Sequence, residues 1–335
     1  MSRRKSILIV GVGSIGERHL RCFQGTGRAD VSLCELNPLL RKTVADRYQI
    51  VKAFDDLTRA LDDKPDMVVI CTPAHLHISM ALAAAQRGIH LLIEKPLGTS
   101  LEGINALRKE VISRKIVAGV AYVYRAHPAL ASMREAIHSG RFGEPVQIVS
   151  TSGQHFPFYR PVYRETYYKN RATGGGAVQD ALTHVVNAGE WLVGAVTSLT
   201  ADAAHQVLEG VEVEDTVHLL TRHDNVLGSF SLNQHQAPNE SSITVICKKG
   251  TLRFEMHNSR WRWQIEPGDT WHDEAAAKLE RDTLFTRQAD SFLDAIEGIN
   301  PPLCNLEEGI QTLQVNLASL RSIEDRRWQA LSVSQ

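Results

Sequence analysis

Three things are scarce in this chain of 335 residues. Cysteine is the first. Cys22, Cys34, Cys71, Cys247 and Cys304 are far apart, odd in number and form no C-x-x-C pair. A disulfide framework needs evenly matched, regularly spaced cysteines, so these read as reduced thiols of a cytoplasmic protein. Long apolar runs are the second: nothing approaches the roughly 20 residues of a membrane-spanning helix. Charge of one sign is the third. The 37 Lys and Arg against 38 Asp and Glu leave a formal charge of −1, which excludes a global field steering the chain to nucleic acid or a membrane. The opening MSRRKSILIVGVG places basic residues before apolar ones. Its apolar part falls short of the about 7–15 residues of a secretory leader's core, so it is expected to be a first strand. Internal repeats, low-complexity tracts and a G-x-S-x-G nucleophile motif are also missing.

What is present is an ordinary globular mix, 43% hydrophobic and 22% charged, long enough for about two domains of roughly 150 residues. The first half alternates short all-apolar strands with amphipathic helices. Strands are expected at 7–10, 31–34, 67–71, 90–93 and 116–122. Helices are expected at 15–24, 38–48, 77–87 and 99–113, the last opened by a Thr99-x-x-Glu102 capping box. Continuous apolar strands separated by helices imply a parallel sheet covered on both faces. In such a sheet, ligands bind outside the carboxyl ends of the strands.

Gly11, Gly13 and Gly16 make G-x-G-x-x-G directly after the first strand, with Ser14 and Ile15 opening the helix. Glycines close the turn and let the backbone approach a pyrophosphate seated on the helix N-terminus. The bare pattern is weak. Here it has its strand, its helix and an acid, Glu35, placed 19 residues after Gly16 to hold the ribose hydroxyls. Glu35 would repel a 2′-phosphate, which favours NAD over NADP, although Arg41 and Lys42 are close in sequence. The bland reading is a tight turn and a solvated loop acid. The fourth expected strand ends in Glu94-Lys95-Pro96, putting an acid and a base at a carboxyl end; a surface Glu–Lys pair is the alternative.

The second half changes character. Strand–turn–strand patterns at 216–234 and 241–257, the latter turning at Lys249–Gly250, and a strand at 260–266 imply an open, mostly antiparallel sheet. Helices are expected at 283–297 and 307–325. The fold class is therefore α/β, with an N-terminal parallel-sheet domain at residues 1–124 and a C-terminal α+β domain at 125–335. The last helix is free to pack back on the first domain, and the space between the domains would face Lys95. After Gly174, Gly175 and Gly176, Asp180 and His184 stand four apart on a helix. That spacing stacks both on one face, so the carboxylate can fix the tautomer of an imidazole acting as general base. A surface pair or a core histidine would look the same. No third ligand is nominated, so no metal is expected.

The segments GVGSIG, TPAHLH, EKP and GGGAVQDALTH, in this order and spacing, resemble the glucose-fructose oxidoreductase / inositol dehydrogenase / rhizopine catabolism family of NAD(P)-dependent oxidoreductases. The resemblance spans essentially the whole chain and implies a Rossmann domain at the N-terminus. It implies that Lys95, Asp180 and His184 are catalytic and bind substrate, that Thr72, Pro73 and His77 line the cofactor, and that Glu94 lies near the nicotinamide ribose. It also implies a Lys95–Pro96 bond that is often cis. The chain departs from the family at Tyr122, Tyr124 and Arg125, where an Asn often precedes Arg, and at Gln179, where an apolar residue is common. Tyr122, Arg125 and Gln179 are carried as substrate candidates. So are Arg160, Arg164, Tyr167 and Arg171, from a tyrosine- and arginine-rich segment that suits polyhydroxyl or carboxylate recognition or braces a loop. The expected activity is dehydrogenation of a secondary alcohol of a sugar, polyol or sugar-derived acid. An NAD-retaining glycosidase and a non-catalytic sugar or dinucleotide sensor are the rivals. A homodimer or homotetramer through the C-terminal sheet is expected.

Overall fold

A computed structural model describes residues 3–274 and 279–331. The chain divides into two compact units. One runs up to Val123 and takes in Glu280–Ile310; the other runs from Tyr124 to Leu279 and takes in the residues from Gln311. The single boundary read from the sequence therefore misses a second crossing, because residues 280–310 belong with the first unit.

In that unit β1 (Lys5–Val10), α1 (Ser14–Gly25), β2 (Ala29–Cys34), α2 (Pro38–Tyr48), β3 (Ala53–Phe54), α3 (Leu57–Asp62), β4 (Met67–Ile70), α4 (His77–Ala85), β5 (His90–Ile93), α5 (Ile104–Arg114) and β6 (Ala118–Val120) follow one another. Six strands form a parallel sheet in the order β3-β2-β1-β4-β5-β6. β4 is buried throughout and β1 and β5 nearly so, which explains their unbroken apolar runs. β3 and α3 escape the sequence reading because β3 is two residues long. The capping box at Thr99 and Glu102 does not form. Gly103, at φ 78, precedes α5 instead, and the Glu102 N–H is held by the Ser100 hydroxyl at 3.3 Å. A left-handed residue cannot belong to the helix, so α5 starts after it.

The second unit contains α6 (Pro128–His138), β7 (Pro145–Gly153), α7 (Phe156–Tyr159), α8 (Thr183–Val193), β8 (Ser198–Ala204), β9 (Thr216–His223), β10 (Val226–Asn233), β11 (Glu240–Cys247), β12 (Gly250–Glu255), β13 (Arg260–Gln264) and β14 (His272–Glu274). With β15 (Gln329–Ala330) they make a nine-stranded sheet ordered β14-β13-β12-β11-β7-β10-β9-β8-β15. Every pair is antiparallel except β7 with β10. β9 alternates buried and exposed residues, and its hairpin to β10 turns at Asp224, which takes φ 52. The β11–β12 hairpin turns at Lys248–Lys249, one residue earlier than expected, since Cys247 faces Gly250. α6 and α8 cover one face through Leu130, Met133, Val185, Val186 and Leu192, packed with Phe230, Ile243 and Val245.

Two further helices close the chain, α9 (Thr283–Ile296) and α10 (Leu306–Asp325). α9 buries Ala289, Phe292 and Leu293 in the same core as Leu20 and Phe23 of α1. Arg28 reaches Asp294 and Glu297 of that segment at 2.8 and 3.0 Å, and Arg21 forks onto Asp282.

Candidate cofactor and catalytic sites

The three motif glycines of the first unit are each required for a different reason. Gly11 lies at φ +80, and a Cβ on it would come within 3.1 Å of the Cys71 carbonyl oxygen. A Cβ on Gly16 would stand 1.8 Å from the Gly11 carbonyl oxygen, so α1 can pass the turn only without a side chain there. A Cβ on Gly13 would meet nothing within 4 Å. That bare face, at an α1 N-terminus that no side chain caps, is the cradle a pyrophosphate fills, with Ser14 and Ile15 in the first turn.

Glu35 ends β2 as expected. Its Oε2 accepts the Val12 N–H at 3.0 Å and its Oε1 the Asn37 N–H at 2.9 Å, which fixes the carboxylate against the glycine loop. Each oxygen keeps a further lone pair for a ribose hydroxyl. The neighbouring cations are turned elsewhere. Arg41 donates to the Glu35 and Leu36 carbonyls at 2.6 and 3.4 Å, and Lys42 pairs with Asp46 at 2.6 Å. The residues present thus fit NAD.

At the carboxyl end of β5, Glu94 is buried. Its Oε1 lies 2.7 Å from Nε2 of His19 on α1, and its Oε2 accepts the Lys95 N–H at 2.9 Å. Burial pushes the Glu94 carboxyl up, but the His19 hydrogen bond, the charge of Lys95 and the Lys95 N–H together outweigh it, and the net shift is downward. The Lys95–Pro96 bond is cis, and the Lys95 side chain is partly exposed. Thr72 and Pro73 lie at the accessible end of β4. His77 corrects the reading that placed it against the cofactor. Its ring is buried, with Nδ1 2.9 Å from the Pro96 carbonyl and Nε2 2.7 Å from the Thr72 carbonyl. Both nitrogens face protein carbonyls, and the neutral ring, with a single N–H, donates to one of them at a time, so His77 sits between the segments that follow β4 and β5.

In the second unit the helix carrying Asp180 and His184 is not uniformly α-helical. Val178–Leu182 forms a π turn, and α8 begins at Thr183. A π turn closes over five residues, so stacking at a spacing of four does not carry across it; such turns recur at functional sites. Asp180 Oδ1 accepts the Tyr167 hydroxyl at 2.7 Å. The His184 ring stacks on Tyr124, with centroids 5.1 Å apart and planes 17° apart.

Several substrate candidates turn out to be supports. Tyr122 is 0% exposed. Buried Arg125 donates to Asn187 Oδ1 at 2.8 Å and packs over Trp191. Gln179, also buried, donates to the Arg171 and Gly175 carbonyls and so holds the glycine approach to the π turn. Arg171 pairs with buried Glu214 at 2.9 Å, whose other oxygen accepts the Val178 N–H. Arg164 donates to the Glu209 carbonyl and packs on Tyr163. Phe156, Tyr163 and Tyr168 form a small core with Leu208, Val211 and Val213, which is why the segment is aromatic. Arg160 and Tyr167 remain exposed. His19 and Glu214 were missed as site residues, and Tyr124 was noted only as a departure from the family pattern. His19 was the most legible of them: a histidine in the otherwise apolar stripe Gly16, Leu20, Phe23 of α1 marks a buried polar contact.

Among the described residues no group of three His, Cys, Asp or Glu could hold a metal, and no helix is long and apolar enough to cross a membrane.

The family description "Oxidoreductase family, NAD-binding Rossmann fold" matches residues 5–122, and "GFO/IDH/MocA C-terminal domain" matches 130–253. Levoglucosan dehydrogenase of Pseudarthrobacter phenanthrenivorans is 33% identical over 66% of this chain; the aligned stretch spans 64% of that protein, just under two thirds. Myo-inositol 2-dehydrogenase of Thermotoga maritima is 22% identical over 95% of this chain and 96% of its own. A solved levoglucosan dehydrogenase in complex with NADH shares the fold, with a TM-score of 0.90 at 22% identity over 99% of this chain and 100% of that one. The glycine cradle, the fixed Glu35 and the two matched domains together make this chain a member of the GFO/IDH/MocA family of NAD-binding oxidoreductases.

Proposed function

We propose that the protein transfers hydride between nicotinamide and a secondary alcohol of a sugar, an inositol or a sugar-derived acid, using NAD in preference to NADP. The observation that carries this reading is the cradle at Gly11–Gly16 with Glu35 fixed beside it. The names of the two curated relatives support the polyhydroxyl class.

Bound nicotinamide supplies the hydride acceptor at its C4 carbon. His184 takes the hydroxyl proton as the C–H electron pair departs, leaving a carbonyl, and Lys95 hydrogen-bonds the substrate oxygen. Asp180, held by Tyr167, orients the substrate, and Tyr124 backs the His184 ring and sets its plane. Exposed Arg160 is a candidate for a substrate carboxylate or hydroxyl. The outward face of β9 and β10 carries Leu220 and Leu227, half exposed, and is the proposed contact of a homo-oligomer. Five buried thiols with no disulfide between them support a cytoplasmic setting.

The test is a turnover assay of purified protein with NAD or NADP and a panel of inositols, aldoses, sugar acids and amino sugars, read by cofactor absorbance. Reduction with one substrate class, lost in Lys95→Ala and His184→Ala, is expected. NAD binding with no reduction on any substrate would overturn the dehydrogenase and leave glycoside cleavage or sensing.

A further inference from the structure

We propose that the buried His19–Glu94 pair sets the relative affinity of this protein for oxidised and reduced nicotinamide. Glu94 is the fixed negative charge, and His19 is the positioning residue that holds it. The inference rests on the dinucleotide reading of the same site.

The sheet divides the ligand in two. Glu35 stands at the end of β2, in the half that takes the adenosine ribose. The nicotinamide half then falls to the ends of β4, β5 and β6, across the point where the strand order reverses. Glu94 is the first residue past β5, is 4% exposed, and has both carboxylate oxygens held, by His19 Nε2 and by the Lys95 N–H. It cannot swing away to water. His19 is 1% exposed, and its Nδ1 has no hydrogen-bond partner among the described residues. Donation from Nε2 leaves Nδ1 a bare lone pair, which is less costly to bury than an unmet N–H. The ring therefore serves as a neutral donor to a charged carboxylate.

The titratable groups that feel Glu94 come from each element around it: His19 on α1, Cys71 after β4, His77 on α4 and Lys95 beside it. Burial raises the Cys71 thiol well above its ordinary range, with Glu94 adding to the effect, and burial lowers His77. Both are neutral near pH 7. Glu94 and Lys95 remain as the charged pair, the acid enclosed and the lysine partly in water, so the carboxylate is the less screened of the two. The nicotinamide ring is positive when oxidised and uncharged when reduced, with the rest of the ligand the same. A fixed negative charge near that ring favours the oxidised form.

The experiment titrates NAD and NADH separately into the wild type, Glu94→Gln, His19→Leu and His19→Gln, between about pH 6 and 8. Glu94→Gln keeps the shape and removes the charge. It is expected to weaken NAD relative to NADH on the order of tenfold, the scale of one charge acting across several ångströms of intermediate dielectric. His19→Leu strips the carboxylate of its donor, so the ratio moves toward NADH as pH falls. His19→Gln, which restores a donor, returns the wild-type ratio. Equal weakening of both forms, or an unchanged ratio in folded Glu94→Gln, would overturn the proposal and leave the cofactor reading standing. A wild type that binds neither form would sink that reading and the inference with it.

Discussion

At the scale of single residues, the site is defined by where atoms are excluded as much as by where they touch. Gly13 and Gly16 differ by what a methyl group would meet, open space in one case and a carbonyl oxygen at 1.8 Å in the other. Gly16→Ala is expected to lose about 3 kcal/mol or more of stability in a urea titration, since a backbone atom cannot yield cheaply. Gly13→Ala is expected to unfold like the wild type yet bind NAD roughly tenfold more weakly, because its methyl enters the face the pyrophosphate approaches. Equal unfolding midpoints for the two variants would contradict this. Tyr167→Phe removes one hydrogen bond to Asp180 and should lower kcat/KM by about three- to tenfold without a change in fold or in NAD affinity.

At the scale of elements, α8 is held from several sides. Its Glu190 carboxyl is enclosed by the Thr312 hydroxyl at 2.6 Å, Gln311 and the Val196 N–H, and burial pushes its pKa up to about 7. The folded chain therefore binds this proton more tightly than the unfolded chain, whose ordinary value is 4.5. The associated stability is complete below that value, declines as pH rises through it, and is gone above about pH 7, a change of a few kcal/mol. Glu190→Gln, which cannot ionise, should flatten the stability profile between about pH 5 and 8 and be the more stable protein at the alkaline end, as read from urea midpoints. An unaltered slope would show that the carboxyl titrates normally. The π turn ahead of α8 has its own supports. Glu214 accepts the Val178 N–H and holds Arg171, while Gln179 donates back to the glycine segment. Arg171, expected at the substrate from its arginine-rich segment, pairs instead with the carboxylates of Glu214 and Glu324, and Gln179, expected there as the neighbour of Asp180, donates to the backbone that leads into the π turn.

At the scale of the whole molecule, the nine-stranded sheet leaves Leu220 and Leu227 at 50% and 49% exposure on adjacent strands. These apolar side chains, diagonal to one another across the two strands, form the patch proposed as the contact with a second copy. Replacing both by aspartate should reduce the mass measured by sedimentation equilibrium to that of one chain while leaving NAD binding in place; an unchanged mass would move the interface elsewhere.

Local chemistry made much of this legible. Strands buried on both faces must be apolar throughout, and a backbone that approaches a phosphate must be glycine, so β1, β4, β5, the cradle and Glu35 could be read directly. The alternation of β9 and β10 marked a sheet with one covered face. Tertiary structure decided what depends on residues far apart. The membership of α9 in the first unit follows from Phe292 and Leu293 packing with α1 and from Arg28 meeting Asp294 and Glu297, contacts more than 260 residues apart along the chain. The pairing of His19 with Glu94, the closing of both His77 nitrogens on carbonyls, and the burial of Tyr122 and Gln179 belong to the same class. Sequence states which chemistry a side chain carries. Which partner consumes that chemistry is a matter of distance, and distance is set only when the units fold.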